Sequence, residues 1–328
     1  MMANILEIKD LRIYYETKNG EVKAVDGVDM VIEKGTSVGL AGESGCGKTT
    51  LGLSFLKLLP LNGKIVSGSM VFDGEDIYAY NEKEFREDIR WAEISMIFQG
   101  AMNALNPVFK VEDQIAEAIK LHDKSKRKKE RIEIARNLLR TVDIDPNMGS
   151  HYPHEFSGGM RQRAMIAMAL ACDPQLVIAD EPTTALDVIV QKQLMDLLRR
   201  LKDEMDLSLV VISHDISVLA ELCDYLNIMY AGRIVEWAEI TEIFRNPQHH
   251  YTHGLISTFP TIEDEERLEK FIYIKGAPPN LLNPPSGCRF HPRCPAATDV
   301  CRQDPEPKMR LIGENHYVAC HHPRGEEQ

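Results

Sequence analysis

The chain has 328 residues, 44% of them hydrophobic, enough to bury a full α/β core and carry a smaller appendage. Its net charge of −12 argues against broad nucleic-acid binding, and its longest helical apolar stretch, Ala164 to Cys172, is less than half the ~20 residues of a membrane span. The start, Met1-Met2-Ala3-Asn4-Ile5-Leu6-Glu7, has neither a basic nor an apolar section, so no secretory signal is expected, and membrane association is expected only through partner proteins.

In chain order, the segments Ile5–Tyr15, Ala24–Ile32 and Gly68–Phe72 predict an antiparallel β layer around the first part of a nucleotide core. Between them, the apolar run Ser37-Val38-Gly39-Leu40-Ala41 leads into Gly42-Glu43-Ser44-Gly45-Cys46-Gly47-Lys48-Thr49-Thr50, and Leu51-Gly52-Leu53 continues as a helix. This fits G-x-x-x-x-G-K-[ST], a loop whose backbone amides close around a triphosphate. In that pattern Lys48 reaches the β- and γ-phosphates and Thr49 ligates Mg²⁺. Met96-Ile97-Phe98-Gln99 closes the first part, after which Val111–Ile119 and Ile132–Leu139 show helical apolar spacing. The basic run Lys124-Ser125-Lys126-Arg127-Lys128-Lys129 reads as a solvated helix start, with contact to lipid headgroups as the alternative.

Phe156-Ser157-Gly158-Gly159-Met160-Arg161-Gln162-Arg163 then opens a second helix, Met160 to about Ala171, that stops at Asp173-Pro174. It is a second anion-binding helix start, about 109 residues beyond Lys48. One triphosphate hardly needs two such cradles, so this one is expected to serve a nucleotide held by another subunit. Leu176-Val177-Ile178-Ala179-Asp180-Glu181 is a buried strand ending in two acids, and Leu209-Val210-Val211-Ile212-Ser213-His214-Asp215 is another ending in a histidine. Delivering polar groups at the C-terminal ends of buried strands is how an α/β sheet builds a site. Alternation of helix and strand ends in Ile228–Val235; there is no internal repeat and one phosphate loop.

These motifs together resemble the ATP-binding subunits of ABC transporters. The resemblance implies a P-loop NTPase (RecA-like) α/β core with an antiparallel β subdomain, and a helical subdomain inserted over about 99–155. It implies that Ser157, Gly158 and Gly159 complete the ATP site of a partner in a head-to-tail dimer, and that Asp187, in Ala185-Leu186-Asp187, lies in the D-loop along that interface. Asp180 and Gln99 would help hold Mg²⁺, Glu181 would act as general base on the attacking water, and His214 would contact the γ-phosphate. Tyr15 resembles the aromatic that stacks on adenine; Tyr14 takes that role if the register slips by one. The segment around Gln99 to Phe109 would face the membrane subunit.

The last ninety residues narrow the resemblance. After the acidic Glu263-Asp264-Glu265-Glu266, read as a linker or exposed helix start, come Gly276-Ala277-Pro278-Pro279 and Asn283-Pro284-Pro285-Ser286-Gly287-Cys288. This proline-rich, cysteine-bearing tail resembles the C-terminal extension of the oligopeptide and dipeptide importer subfamily, giving an ATPase domain over 1–235 and an extension over 236–328. Of seven cysteines, Cys288, Cys294, Cys301 and Cys320 fall in the last forty-one residues, with five, six and eighteen residues between them. Clustered thiols in a cytoplasmic ATPase suggest metal rather than disulfides, and four thiolates are what an iron–sulfur cluster requires. The resemblance also points to [4Fe–4S]. Zinc, with His291, His316, His321 and His322 nearby, and unmetallated thiols stay open. Cys172 and Cys223 read as core residues, and Cys46 as a loop position where the backbone matters more than the thiol.

The resemblance therefore implies an ATP- and Mg²⁺-dependent subunit on the cytoplasmic face of the membrane. Its implied partners are a second ATP-binding subunit (a sister chain by analogy), two permease subunits and, through them, an extracytoplasmic substrate-binding protein. Peptide import is the expected function, with oligosaccharide or nickel import in the same subfamily as the alternative. A soluble, non-transport ABC ATPase is the reading from another class. A DNA-repair ATPase of that kind would carry a long coiled coil between phosphate loop and signature, which the short spacing here does not allow.

Overall fold

The computed structural model describes residues 3–100, 104–258 and 274–325. A hairpin comes first: β1 (Asn4–Thr17) and β2 (Gly20–Glu33) are joined through residues 18–19, where Thr17 Oγ1 donates to the Gly20 carbonyl at 2.6 Å. There follow β3 (Ser37–Ala41), α1 (Lys48–Ser54), β4 (Gly63–Phe72), β5 (Glu75–Asp76), α2 (Glu82–Glu84) and β6 (Ile94–Ile97). The middle of the chain is α3 (Val111–His122), α4 (Lys128–Thr141), α5 (Gly158–Ala169), β7 (Leu176–Asp180), α6 (Val188–Met205) and β8 (Ser208–Ile212). Last come α7 (Ile216–Leu222), β9 (Tyr225–Tyr230), β10 (Arg233–Glu239), α8 (Ile240–Arg245), α9 (His250–Ile256), β11 (Arg310–Gly313) and β12 (His316–Val318). Among the described residues no helix is long and apolar enough to cross a membrane.

Two compact units are present, each discontinuous in sequence. One comprises Met1–Ile5, Ile32–Thr36 and Val71–Ile212. In it β6, β7 and β8 run parallel, with Ile94 opposite Leu176 and Leu176 opposite Ser208. All three are buried along their whole length, which is why Leu176–Ala179 and Leu209–Ile212 read as unbroken apolar runs: a parallel sheet is covered on both faces. The crossover α6 buries Leu194, Met195, Leu197, Leu198 and Leu201 at helical spacing. Its start is capped by Asp187 Oδ1, which accepts from Val190 N at 3.0 Å, and it ends at Asp206 in a left-handed conformation. The α3, α4 and α5 helices pack on one another, and the buried Glu112 of α3 meets Arg136 of α4 at 2.7 Å.

The other unit comprises Leu6–Val31, Ser37–Met70 and Ser213–Gln328. Here β3 is parallel to β9, and β9 continues antiparallel through β10, β12 and β11. Most of β1, β2 and β4 make a separate sheet in the order β2-β1-β4.

Three details refine the sequence expectations. Ile228–Val235 comprises the end of β9, a turn and the start of β10, because Ala231 and Gly232 both have positive φ (48° and 83°), as a tight hairpin turn demands. The basic run begins before its helix: α4 starts at Lys128, while Asp123 pairs with Lys126 and turns the chain. The cysteine tail also carries an unforeseen hairpin, β11–β12, which extends the sheet with Trp237 opposite Tyr317. Residues Glu263 to Glu266 lie outside the described residues.

Candidate functional site

The unit holding the phosphate loop also contains Tyr15 and His214. Strand β3, buried throughout, delivers the chain to Gly42, and the loop ends at Gly47, the N-cap of α1. These two glycines are required by close approach and by backbone angle. A Cβ on Gly42 (φ 151°) would lie 2.1 Å from the Met229 carbonyl oxygen, and one on Gly47 (φ 108°) 2.0 Å from that of Ala24. Gly47 has no side chain and so offers no side-chain cap to the first turn of α1. The buried Lys48 Nζ donates to the carbonyls of Gly42 (2.7 Å) and Glu43 (3.1 Å), which curls the loop around the ammonium. Uncapped amides, a backbone no side chain crowds and a central ammonium fit the phosphates of a nucleotide. Thr49, next in the chain, is exposed and fits the hydroxyl ligand that Mg²⁺ would take. Gly47→Ala is expected to weaken ATP binding roughly tenfold or more and, because its Cβ would press on the Ala24 carbonyl, to lower the melting temperature as well. Equilibrium titration with Mg·ATP alongside a thermal melt checks this.

Tyr15 Oη lies 3.0 Å from Thr50 Oγ1, and its ring packs against Gly63, where a Cβ would approach Cε1 to 2.8 Å. Tyr14 instead donates to Asp26 Oδ1 at 2.6 Å, so its hydroxyl serves another network. Cys46 is buried, and burial pushes its thiol up. His214 is exposed and follows Ser213, whose amide reaches the Leu40 carbonyl of β3 at 3.4 Å.

Glu43 is held from three sides. Its amide donates to Tyr251 Oη (2.8 Å), its carbonyl accepts from Lys48, and its carboxylate takes both Arg293 Nη1 (2.6 Å) and Nη2 (2.9 Å). Nothing in the sequence marks Tyr251 or Arg293 as belonging to the phosphate loop; the only signal is the position of Arg293 beside Cys294 in the cysteine tail.

The other unit holds Gln99, Ser157, Asp180, Glu181 and Asp187. Asp180, 1% exposed, ends β7. Glu181 follows with φ 52°, a left-handed backbone that costs a non-glycine residue about 1–2 kcal/mol. Its amide donates to the Ile212 carbonyl (2.8 Å), and its Oε2 accepts from Thr184 Oγ1 (3.0 Å). Strain of this kind persists where surrounding structure fixes it, often at functional positions. Ser157 caps α5, accepting from Met160 N at 3.3 Å, and Gly158 is the first residue of that helix. A Cβ on Gly159 would lie 2.8 Å from Val190 Cγ1, so the absence of a side chain here lets α6 approach. Gln99 is exposed after β6, as are Val108 and Phe109 further along; residues 101–103 of that segment lie outside the described residues.

Cys288, Cys294, Cys301 and Cys320 line one small cavity of about 10 Å³, and all four thiols are free. Burial pushes Cys288 up to about 11 and Cys320 up to about 12. Two imidazole nitrogens on the same cavity, His249 Nε2 and His321 Nε2, are buried without a hydrogen-bond partner. The donor chemistry therefore suits a soft metal. The geometry does not yet suit it: among the described residues no three His, Cys, Asp or Glu side chains stand as a metal-ligand set, and the cavity has room for about one water. The expectation of a [4Fe–4S] site is corrected to this extent: the four thiols converge, but they do not form a ready-made ligand cage.

A glycine cradle between a buried parallel strand and a helix, with acids at the end of a second buried strand, defines a P-loop nucleotide-binding protein. Residues 25–184 match the ABC transporter family, and residues 235–301 match the oligopeptide/dipeptide transporter C-terminal region. The dipeptide transport ATP-binding protein DppD of Caldanaerobacter subterraneus subsp. tengcongensis is 41% identical, over 98% of this chain and 97% of that protein. The oligopeptide transport ATP-binding protein OppD of Bacillus subtilis is 42% identical, over 97% of this chain and 88% of that one. Among solved structures, the dimeric post-hydrolysis state of the ATP-binding cassette MJ0796 bound to ADP and Pi matches with a TM-score of 0.64 and 27% identity, covering 72% of this chain and 98% of that one. The chain belongs to the ABC transporter ATP-binding subunits of the oligopeptide/dipeptide importer family.

Proposed function

We propose that this chain hydrolyses ATP as the subunit that energises import of di- or oligopeptides across the cytoplasmic membrane. The observation that carries the reading is the joining, in one chain, of an ABC ATPase with the oligopeptide/dipeptide C-terminal region. Residues 1–235 act as the ATPase domain and 236–328 as the extension. Lys48 and the amides of Gly42 to Thr50 hold the phosphates, with Tyr15 against adenine. When Mg²⁺ is bound, by Thr49 and Asp180 with Gln99, it neutralises phosphate charge. Glu181 takes a proton from water as the oxygen bonds to the γ-phosphorus and ADP leaves, and His214 steadies the γ-phosphate. Ser157 and Gly159 act on the nucleotide of a second ATP-binding subunit, and Asp187 lies along that interface. Two permease subunits, engaged through the exposed segment that includes Val108 and Phe109, place the chain at the cytoplasmic face and connect it to a substrate-binding protein outside.

Uptake of labelled di- and oligopeptides by cells lacking this chain tests the reading. Rescue by wild type but not by Glu181→Gln supports it. Failure of wild type, with the chain expressed, turns the cargo toward oligosaccharides or nickel. We further propose that Cys288, Cys294, Cys301 and Cys320 hold a [4Fe–4S] cluster, a reading supported by the convergence of the four thiols on one cavity. Anaerobic purification showing neither iron nor acid-labile sulfide, with no absorbance near 400 nm, sinks the cluster; zinc by elemental analysis would replace it.

A further inference from the structure

The cysteine-bearing tail reaches the phosphate loop through Arg293. Arg293 closes a short 3₁₀ turn, His291–Arg293, and Cys294 follows it. All five of its guanidinium donors are used: Nε on the Lys275 carbonyl (3.0 Å), Nη1 on Glu43 (2.6 Å) and Tyr230 Oη (3.2 Å), Nη2 on Glu43 (2.9 Å) and the Gly276 carbonyl (3.3 Å). The side chain is 6% exposed. A guanidinium saturated in this way is fixed, and a two-pronged bond to a carboxylate fixes its partner too. Tyr251, fully buried, takes the Glu43 amide and packs on Tyr230 and Phe290, with ring centroids 4.6 and 5.5 Å away.

The electrostatics point the same way. Glu43 places a negative charge in a loop that must receive a polyanion, and Arg293 is the cation that neutralises it. The Glu43 carbonyl meanwhile holds Lys48 Nζ, so tilting the residue 43 peptide moves the ammonium. We propose that Arg293 and Tyr251 are positioning residues for ATP: the C-terminal tail presets the phosphate loop by clamping Glu43 and cancelling its charge. This rests on the phosphate loop being an ATP site.

Equilibrium titration of the full-length chain with Mg·ATP, alongside thermal melts, tests the clamp. Arg293→Met is expected to bind ATP roughly tenfold more weakly, the size of one charge-assisted contact. Tyr251→Phe is expected to lose roughly three- to fivefold, the size of a neutral hydrogen bond. Adding Glu43→Gln to Arg293→Met is expected to recover most of the loss, because it removes the repelling carboxylate; a merely structural role for Arg293 would not be rescued by that change. Should Arg293→Met fail to fold, Arg293→Lys keeps the charge without the fork and is expected to lie between the two. Wild-type affinity in the arginine variants, or a double variant no better than Arg293→Met, overturns the proposal. If wild type binds no more ATP than Lys48→Ala, the ATP-site reading itself falls, which is a distinct result.

Discussion

Replacing Glu181 by Gln is expected to leave Mg·ATP binding intact and to cut turnover by roughly 10²-fold or more. The substitution is informative because it changes so little else. Gln has the same carbon skeleton, so the left-handed backbone at 181 carries the same strain. The amide oxygen can still accept from Thr184 Oγ1, and the backbone bond to the Ile212 carbonyl is untouched. What disappears is a group that can take a proton from water. Phosphate release measured together with ATP binding separates the two functions. Unchanged binding with lost turnover makes Glu181 the base; near-normal turnover removes it from that role and shifts attention to His214 and Gln99.

The parts of this site that could be read from sequence are those whose chemistry is contiguous. The phosphate loop needs successive backbone amides, so its residues must be neighbours in the chain, and Gly42 to Thr50 are. Fully buried strands such as β7 and β8 announce themselves as apolar runs, and the polar residues that follow them stand out against that background. The helices α3 and α4 are likewise visible in their apolar spacing, because a helix repeats its contacts every three or four residues.

What stayed hidden is carried by single side chains meeting across long separations. Arg293 and Glu43 are 250 residues apart, and Arg289 and Asp26 are 263 apart. No periodicity links such pairs. The tail is rich in proline, and its two short strands exist only by pairing, β12 with β10 and β11 with β12. Glu236 shows the same difficulty. An acid inside a strand reads as a solvent-facing residue, yet it is fully buried, satisfied by the amides of Gln248 (2.6 Å) and His249 (2.8 Å) and by His316 Nε2 (2.7 Å). The cysteines fall between these cases. Counting located the cluster, but only the structure shows that the four thiols share one cavity and that it is small.

Asp26 is where the tail's attachment is most exposed to test, and Asp26→Ala is expected to destabilise the protein by about 3–5 kcal/mol. The carboxylate is 3% exposed and lies among Arg289, Arg12 (3.3 Å), Arg233 (3.7 Å) and the Tyr14 hydroxyl (2.6 Å). Arg289, itself buried, also donates to the Ala231 carbonyl (2.6 Å) and to Glu306 (3.1 Å). Removing Asp26 takes one of two carboxylates from that buried guanidinium, leaves its Nη2 without an acid and the Tyr14 hydroxyl without its acceptor, which costs far more than losing an exposed ion pair. The same geometry sets a pH dependence. Burial alone would push the Asp26 carboxyl up, but the bonds from Tyr14 and Arg289, with the charges of Arg289 and Arg233, outweigh it and hold the carboxyl below its ordinary value of 3.8. A group depressed on folding stabilises the native state fully above its unfolded pKa and loses that contribution as pH falls through the folded one. Wild type should therefore lose stability below about pH 4. Asp26→Asn should start lower and show a shallower acid slope in urea melts recorded across that range. An equal slope in the two proteins would place the acid sensitivity elsewhere and leave Asp26 as a packing residue.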